Sequence, residues 1–390
     1  MEEQRLKAFA ESCRTPAYVF DTDILKERIR RTAKILHPAK LCFAIKANPF
    51  LLKSMDGQVE HYEVCSPGEF HICVQNGLDM EKIVLSGVNK EYGDVRYAME
   101  QGVIRYTAES RHQFELVHQC AAELQKTVEI LLRVTSGNQF GMSEEDVVHL
   151  IQHREEYPHL DVVGVQYFSG TQKKNIRKIA GELEYIEDFI RRLFCDEGFS
   201  VRVLEFGPGL GVPYFTKDDQ QEDQKLLEAF GQLFQEKRPY ELVFEMGRFL
   251  TASCGYYITK IVDQKKKRCG QCVHRGRRHP SRELLRTEYG HEDPGFVLFS
   301  AASGGSRAGR KMDRLWFLVH GSGYSSEKSA SFGCQAGGLS GLSQHRGIFG
   351  DRRNLSVFKQ KDAGGLSVSG RKNCASAARA GDLDFEHMEE

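Results

Sequence analysis

Three short segments hold residues whose types could do chemistry together. The run FAIKAN ends an apolar stretch at 41–45 and places Lys46 directly after it. A lysine withdrawn from water could form a Schiff base with a carbonyl cofactor. On position alone, a surface lysine at a strand end is the simpler reading. The segment EFGPGLGVPY (205–214) is a glycine-rich turn that includes Gly207 and Gly209. Glycines let backbone N–H groups close on an anion, although one glycine turn is common in any strand-to-helix loop. The segment EMGR (245–248) adds Glu245, Gly247 and Arg248. Its arginine could make a charged contact with the same anion. The three segments together carry more weight than any one.

The elements that must position them follow from periodicity. Up to about residue 265, short β-branched runs alternate with amphipathic stretches. Eight apolar runs lie at 41–45, 62–64, 82–87, 104–108, 129–134, 162–168, 201–207 and 241–247. Between most of them, segments such as SRHQFELVHQCAAELQK and IRKIAGELEYIEDFIRRLF repeat apolar residues every three or four positions. Eight such units predict an α/β fold, a (β/α)8 TIM-like barrel. An open doubly wound sheet is the rival, and it rarely needs so many. In a barrel Lys46 points from the C-terminal mouth, where active sites of this fold lie, and the loops after strands seven and eight often bind phosphate. A further strand, AYVF (17–20), sits outside the barrel, ahead of a helix that Asp21, Thr22 or Asp23 could cap.

Composition narrows the class. The net charge is +0, so nothing suggests nucleic acid or an acidic membrane surface as partner. The charged start, MEEQRLKAFAES, has no apolar signal-peptide region, and no run is long enough to span a bilayer. These features predict a cytoplasmic protein. The 11 cysteines lack a disulfide-like framework and read as free thiols. The segment CGQCVHRGRRH (269–279) has one CxxC pair without a second at a recognisable spacing, so no metal site is expected.

Five motifs in order resemble the ornithine/diaminopimelate/arginine decarboxylases, which bind pyridoxal 5'-phosphate in an alanine-racemase-like barrel (fold type III). FAIKAN is similar to Y-A-x-K-A-N, YEVCSPGE (62–69) to D-x-A-S-x-G-E, and LSGVNK (85–90) to G-N-x-K. FGPGLG is similar to G-G-G-x-G, and EMGR to E-P-G-R. The resemblance runs from about residue 15 to 265. It implies that Lys46 carries the Schiff base and that Glu245 pairs with the pyridine nitrogen. It implies that Gly207, Gly209, Gly247, Arg248 and Thr171 surround the phosphate. Glu63, Glu69 and Arg133 would support the site, with a structural ion pair the equal reading for Arg133. Where the family has H-x-G-S, this chain has YFSGTQ. Phe168 takes the stacking position without an imidazole's proton chemistry. The same pattern resembles decarboxylases of secondary metabolism, some acting on amino acids held on carrier proteins. The implied function is decarboxylation of a small amino acid, free or carrier-bound. The alternatives are a racemase on the same fold and an inactive cofactor-binding remnant.

The texture changes after residue 265. Of the 37 glycines, 19 fall in the last 125 residues, where no period of two or 3.6 is sustained. Such a stretch buries little apolar surface, and a largely disordered tail is expected. The expected layout is an N-terminal strand segment (1–22), the barrel (23–255), the first strand of a β-domain (256–265) and the tail (266–390). The family's β-domain motifs are missing from the tail, and with them the residues by which a homodimer partner completes the site. That puts dimerisation of this chain in question. If the codons of the tail are read one base later, they permit I-V-D-G-G, C-G-x-L-C and G-A-Y-S, in order and in one frame. The switch falls beside Lys265, Lys266 and Lys267, whose codons can form a long adenine run. Resequencing that run is expected to show a single-base gain or loss whose reversal restores all three motifs. If no single-base change restores them, the shifted-frame reading fails.

Overall fold

Each apolar run forms a strand, because its alternate side chains can face two different apolar layers. In the computed structural model, residues 16–213, 221–234 and 236–266 are described, together with 8, 9, 12–14 and four short strands beyond 271. The first strand, β1 (Ala17–Phe20), lies outside the barrel. The barrel strands are β2 (Lys40–Ala44), β3 (His61–Val64), β4 (Ile83–Leu85), β5 (Arg105–Ala108), β6 (Val128–Val134), β7 (Leu160–Phe168), β8 (Val203–Gly207) and β9 (Glu241–Met246). They pair in chain order, all parallel, and close where β9 meets β2. At that seam Leu41 lies opposite Phe244 and Cys42 opposite Glu245. The eight strands are those read from the sequence.

The barrel separates two apolar layers. Inside it Cys42, Val84, Leu131, Val163, Val203 and Val243 form their own buried cluster. This plug fills the interior, as side-chain layers do in such barrels. Outside it, strand residues of the other parity pack on the helices. Phe244 is fully buried there, with ring centroids 5.1 Å from Phe230 and 4.7 Å from Phe234.

Local signals start the helices where the strands end. Asp21 caps the helix Thr22–Leu36, accepting from the backbone N–H groups of Asp23 and Ile24 at 3.0 and 3.2 Å. Ser66, Ser110 and Ser143 cap later helices in the same way. Such a cap stabilises a helix by about 1 kcal/mol.

A second sheet lies beside the barrel, built on β1 and on β10 (Gly255–Lys266), which run antiparallel. The backbone N–H of Asp21 donates to the Cys254 carbonyl at 2.8 Å, tying this sheet to the first capped helix. The strands β11 (Cys272–Gly276), β12 (Val297–Ser300), β13 (Leu315–His320) and β14 (Gly364–Ser367) complete it in the order β12-β13-β10-β1-β14, with β11 also on β10. These strands fall where no period could be read. The rest of 266–390, on which the expectation of a shifted-frame, disordered tail falls, lies outside the described residues. Among the described residues, no helix is long and apolar enough to cross a membrane.

Truncating Phe244 to alanine should leave a cavity under the barrel seam. A loss of about 3–5 kcal/mol is expected. It should be read as a lower urea midpoint with an unchanged denaturant slope.

Candidate active site

The site begins two residues beyond the interior plug. The parity that turns Cys42, Val203 and Val243 inward also turns Ala44, Glu205 and Glu245 toward the barrel axis. Polar residues therefore replace apolar ones one layer nearer the C-terminal mouth. After β2 the chain makes a short 3-10 turn, Ile45–Ala47, which carries Lys46. Gly247 adjoins this turn at the end of β9, and a Cβ there would lie 2.9 Å from Ala47 Cβ. Only a residue without a side chain lets the two turns come this close.

Lys46 Nζ donates to Glu63 Oε2 at 2.6 Å, and it lies 3.4 Å from Glu245 Oε1 and 3.5 Å from Cys65 Sγ. Cys65 in turn donates to Glu63 Oε1 at 3.0 Å. Glu63 and Glu245 are 3% and 7% exposed, while the Lys46 side chain keeps 36% exposure toward the mouth. One cation thus faces two buried carboxylates. Burial disfavours the ammonium, but the carboxylates of Glu63 and Glu245 outweigh it and hold the Lys46 pKa well above its ordinary value. Burial also opposes the Glu63 charge, yet the lysine and the hydrogen bonds around it keep this carboxyl below its usual range. Burial and the neighbouring Glu63 push Glu245 up. Burial and Glu63 likewise raise the Cys65 thiol, which stays protonated.

The two glycine-bearing loops are locked together. Gly209 has φ +61°, and a Cβ on it would lie 1.9 Å from the Gly170 carbonyl oxygen. The backbone N–H of Lys173 donates to Gly209 O, and that of Gly211 donates to Lys173 O, both at 2.9 Å. The Val212 N–H donates to Gln172 Oε1 at 2.8 Å. Thr171 sits at this junction and is exposed. Phe168 packs on Gly207, where a Cβ would meet its ring at 2.6 Å. Arg248 opens the short helix Arg248–Thr251.

The remaining expected residues play less direct parts. Glu69 makes no hydrogen bond to Lys46. Its carboxylate accepts from the Cys65 backbone N–H at 2.8 Å, while Ser66 Oγ accepts from the Glu69 N–H at 3.3 Å. Glu69 therefore fixes the backbone that carries Cys65. Ser110 and Gln113 repeat the device, with Gln113 Oε1 accepting from the Glu109 N–H at 3.0 Å. Arg133 is paired with Glu109 at 2.6 Å, and its guanidinium lies over the Phe140 ring. Three residues of the cluster are not singled out by the sequence: Cys65, beside the lysine, and Gln166 and Glu205, beside Glu245. Gln166 and Glu205 did leave a signal, a polar residue in the middle of an otherwise apolar strand. Among the described residues, no group of His, Cys, Asp or Glu side chains could hold a metal ion.

Known proteins resemble this chain in sequence and in fold. The profile of the pyridoxal binding domain of pyridoxal-dependent decarboxylases matches residues 22–252. The chain is 30% identical over 298 residues to a diaminopimelate decarboxylase of Zymomonas mobilis, covering 70% of each protein. It is 24% identical over 287 residues to the L-glutamyl-[BtrI acyl-carrier protein] decarboxylase of Niallia circulans, covering 68% of this chain and 67% of that protein. The fold matches the crystal structure of Helicobacter pylori diaminopimelate decarboxylase complexed with L-lysine. The TM-score is 0.67 at 18% identity, over 81% of this chain and 89% of that one.

Glu63 raises the Lys46 pKa, so removing its charge should lower it. In Glu63→Gln, Lys46 should react faster with an amine-acylating reagent at mildly alkaline pH, by about tenfold for each pKa unit lost. The measurement is the labelling rate of the Lys46 peptide by mass spectrometry. An unchanged rate would show that the pair does not control the amine.

Proposed function

Because the chain belongs to the pyridoxal-dependent decarboxylase family and uses pyridoxal phosphate as its cofactor, we propose that Lys46 and Glu245 hold that cofactor for removal of the α-carboxyl group of an amino acid. The observation that carries the reading is the approach of Lys46 Nζ to 3.4 Å from Glu245 within a buried carboxylate cluster at the barrel mouth. An amine able to condense with an aldehyde and a carboxyl able to meet a ring nitrogen stand side by side. When bound, pyridoxal phosphate supplies the aldehyde and a protonated ring that accepts the electron pair left as carbon dioxide departs.

The chain's own residues fit that group. The backbone around Gly207 and Gly209, with Thr171 and Arg248, would bind the phosphate. The tight contact between the 170 and 209 loops presents this backbone without room for a competing side chain. Glu245, whose pKa burial raises, would hold a proton on its carboxyl and share it with the ring nitrogen. Glu63 would orient Lys46 through the 2.6 Å hydrogen bond and keep its charge until the amine is needed. Phe168 would offer a flat apolar face and no ionisable group. Proton transfer near the reacting carbon would then fall to Lys46 and to the protonated Cys65 thiol beside it.

The substrate is an amino acid either free, as for the diaminopimelate decarboxylase relative, or attached to a carrier protein, as the name of the Niallia circulans relative states. The YFSGTQ segment supports the second. Purified protein mixed with pyridoxal phosphate should develop a visible absorption that borohydride bleaches, leaving a reduced adduct on Lys46. Lys46→Ala should show neither. Carbon dioxide release should then be measured from diaminopimelate, lysine, ornithine, arginine and a carrier-tethered amino acid. A colourless protein in excess cofactor would sink the assignment of Lys46. Colour with racemisation and no carbon dioxide would make this a racemase, and colour with no reaction at all an inactive remnant.

A further inference from the structure

A third carboxyl lies in the barrel below the lysine, and the reaction described above gives it no role. Glu205 is 0% exposed on β8, and neither of its carboxyl oxygens makes a hydrogen bond. Beside it in register on β7 stands Gln166, 1% exposed. The Gln166 amide nitrogen donates to Glu245 Oε2 at 3.2 Å. Its amide oxygen is buried and unpartnered. As placed, the amide aims its nitrogen at Glu245 and leaves its oxygen without a donor.

Three buried acceptor oxygens, two on Glu205 and one on Gln166, therefore stand on neighbouring strands without a hydrogen bond. An ionised Glu205 would leave a buried charge next to an amide oxygen, an arrangement that costs several kcal/mol. One proton resolves both deficits, because a neutral carboxyl carries an O–H that can donate to Gln166 Oε1. Most of the charges facing Glu205 point the same way. From β9 and β3 it meets Glu245 and Glu63, both acidic, and from β2 the Cys42 thiol. Arg105 on β5 makes its ion pair with Glu129 at 2.7 Å, not with Glu205. Burial first, then Glu245 and Glu63, outweigh the opposing effects of Arg105 and the Gln166 amide and push the Glu205 carboxyl up to about 8.

We propose that Glu205 is held as a neutral carboxylic acid that donates to Gln166, and that the chain Glu205–Gln166–Glu245 orients the Glu245 carboxyl toward the cofactor ring. The orienting half rests on the role given to Glu245 above. Glu205 touches neither substrate nor cofactor and is a positioning residue. The sign of its linkage follows. Its folded-state pKa lies above the ordinary value of 4.5, so folding takes up a proton at intermediate pH. The stability this gives is complete below the ordinary value and is lost as pH rises toward about 8.

The test uses full-length protein, first without cofactor. The infrared difference between wild type and Glu205→Gln at pH 7 should show the carbonyl band of one protonated carboxylic acid. Gln166→Leu should move that band to the higher frequency of an acid without an acceptor. Glu205→Gln should remove roughly one proton from the pH dependence of stability between pH 5 and 8. With cofactor, Glu205→Gln still has an N–H to donate and should keep its dissociation constant within about threefold, while Glu205→Leu and Gln166→Leu should raise it by roughly tenfold. The absence of the band together with an unchanged pH slope would overturn the neutral acid. Unchanged cofactor affinity in both leucine variants would overturn the orienting role. A wild type that takes no cofactor would overturn the reading of Glu245 and the orienting role with it. The infrared and stability measurements would still decide where the proton is.

Discussion

The contact between the Lys46 ammonium and the Glu63 carboxylate is the interaction around which the barrel mouth is organised. A buried carboxylate without a counter-charge is costly, and a lysine beside several carboxylates is strongly held in its charged form. The lysine follows β2, Glu63 belongs to β3 and Glu245 to β9, so the cluster spans the seam where the barrel closes. Closure brings the charges together, and the charges are tolerable only if closure is complete. The plug of Cys42, Val84, Leu131, Val163, Val203 and Val243 lies just beneath and excludes water from below. Electrostatics and packing therefore demand the same geometry.

Around this centre, the backbone is fixed by short-range devices. Two helices begin with a serine cap followed three positions later by a residue that reaches back past the cap. Glu69 holds Cys65 and Gln113 holds Glu109 in this way. The reciprocal capping box would return to the cap's own N–H. Here the return bond lands one residue earlier, on the last residue of the strand-to-helix turn, and so fixes a position that faces the site. Lys90 joins the second device, donating to Gln113 Oε1 at 3.1 Å and to the Gly87 carbonyl at 2.8 Å.

Much of this was legible in the chain. The eight strands were, because each is a run of β-branched and aromatic residues bounded by turn-forming ones, a pattern set by burial on both faces. Lys46, Glu245 and the glycine turns were, because their spacing places all three at one end of a parallel barrel. Glu205 was visible only as an oddity, since a lone acid in an apolar run does not reveal that its neighbour across the sheet is an amide with a spare oxygen. Cys65 looked like one thiol among 11, and only the fold sets it 3.5 Å from the lysine. Glu69 was expected only as support for the site, and its hold on the backbone of Cys65 could not be read from the chain. The strands β11 to β14 could not be read at all. Their runs are four to six residues long and sit in a glycine- and arginine-rich context without period.

The contact between Gly209 and Gly170 has a consequence for how such a site can change over generations. The two glycines lie 39 positions apart, yet a side chain on Gly209 would collide with the backbone carbonyl of the other loop, which no alternative rotamer can relieve. A change in the 170 loop that shifts that carbonyl leaves Gly209 without its packing partner, and a change at Gly209 must wait for the 170 loop to move first. The order of mutations matters, and most single steps lead downhill. Variation among related chains should therefore gather in the side chains at the rim, at positions such as Thr171 and Phe168, while the two crossing backbones are inherited as one piece.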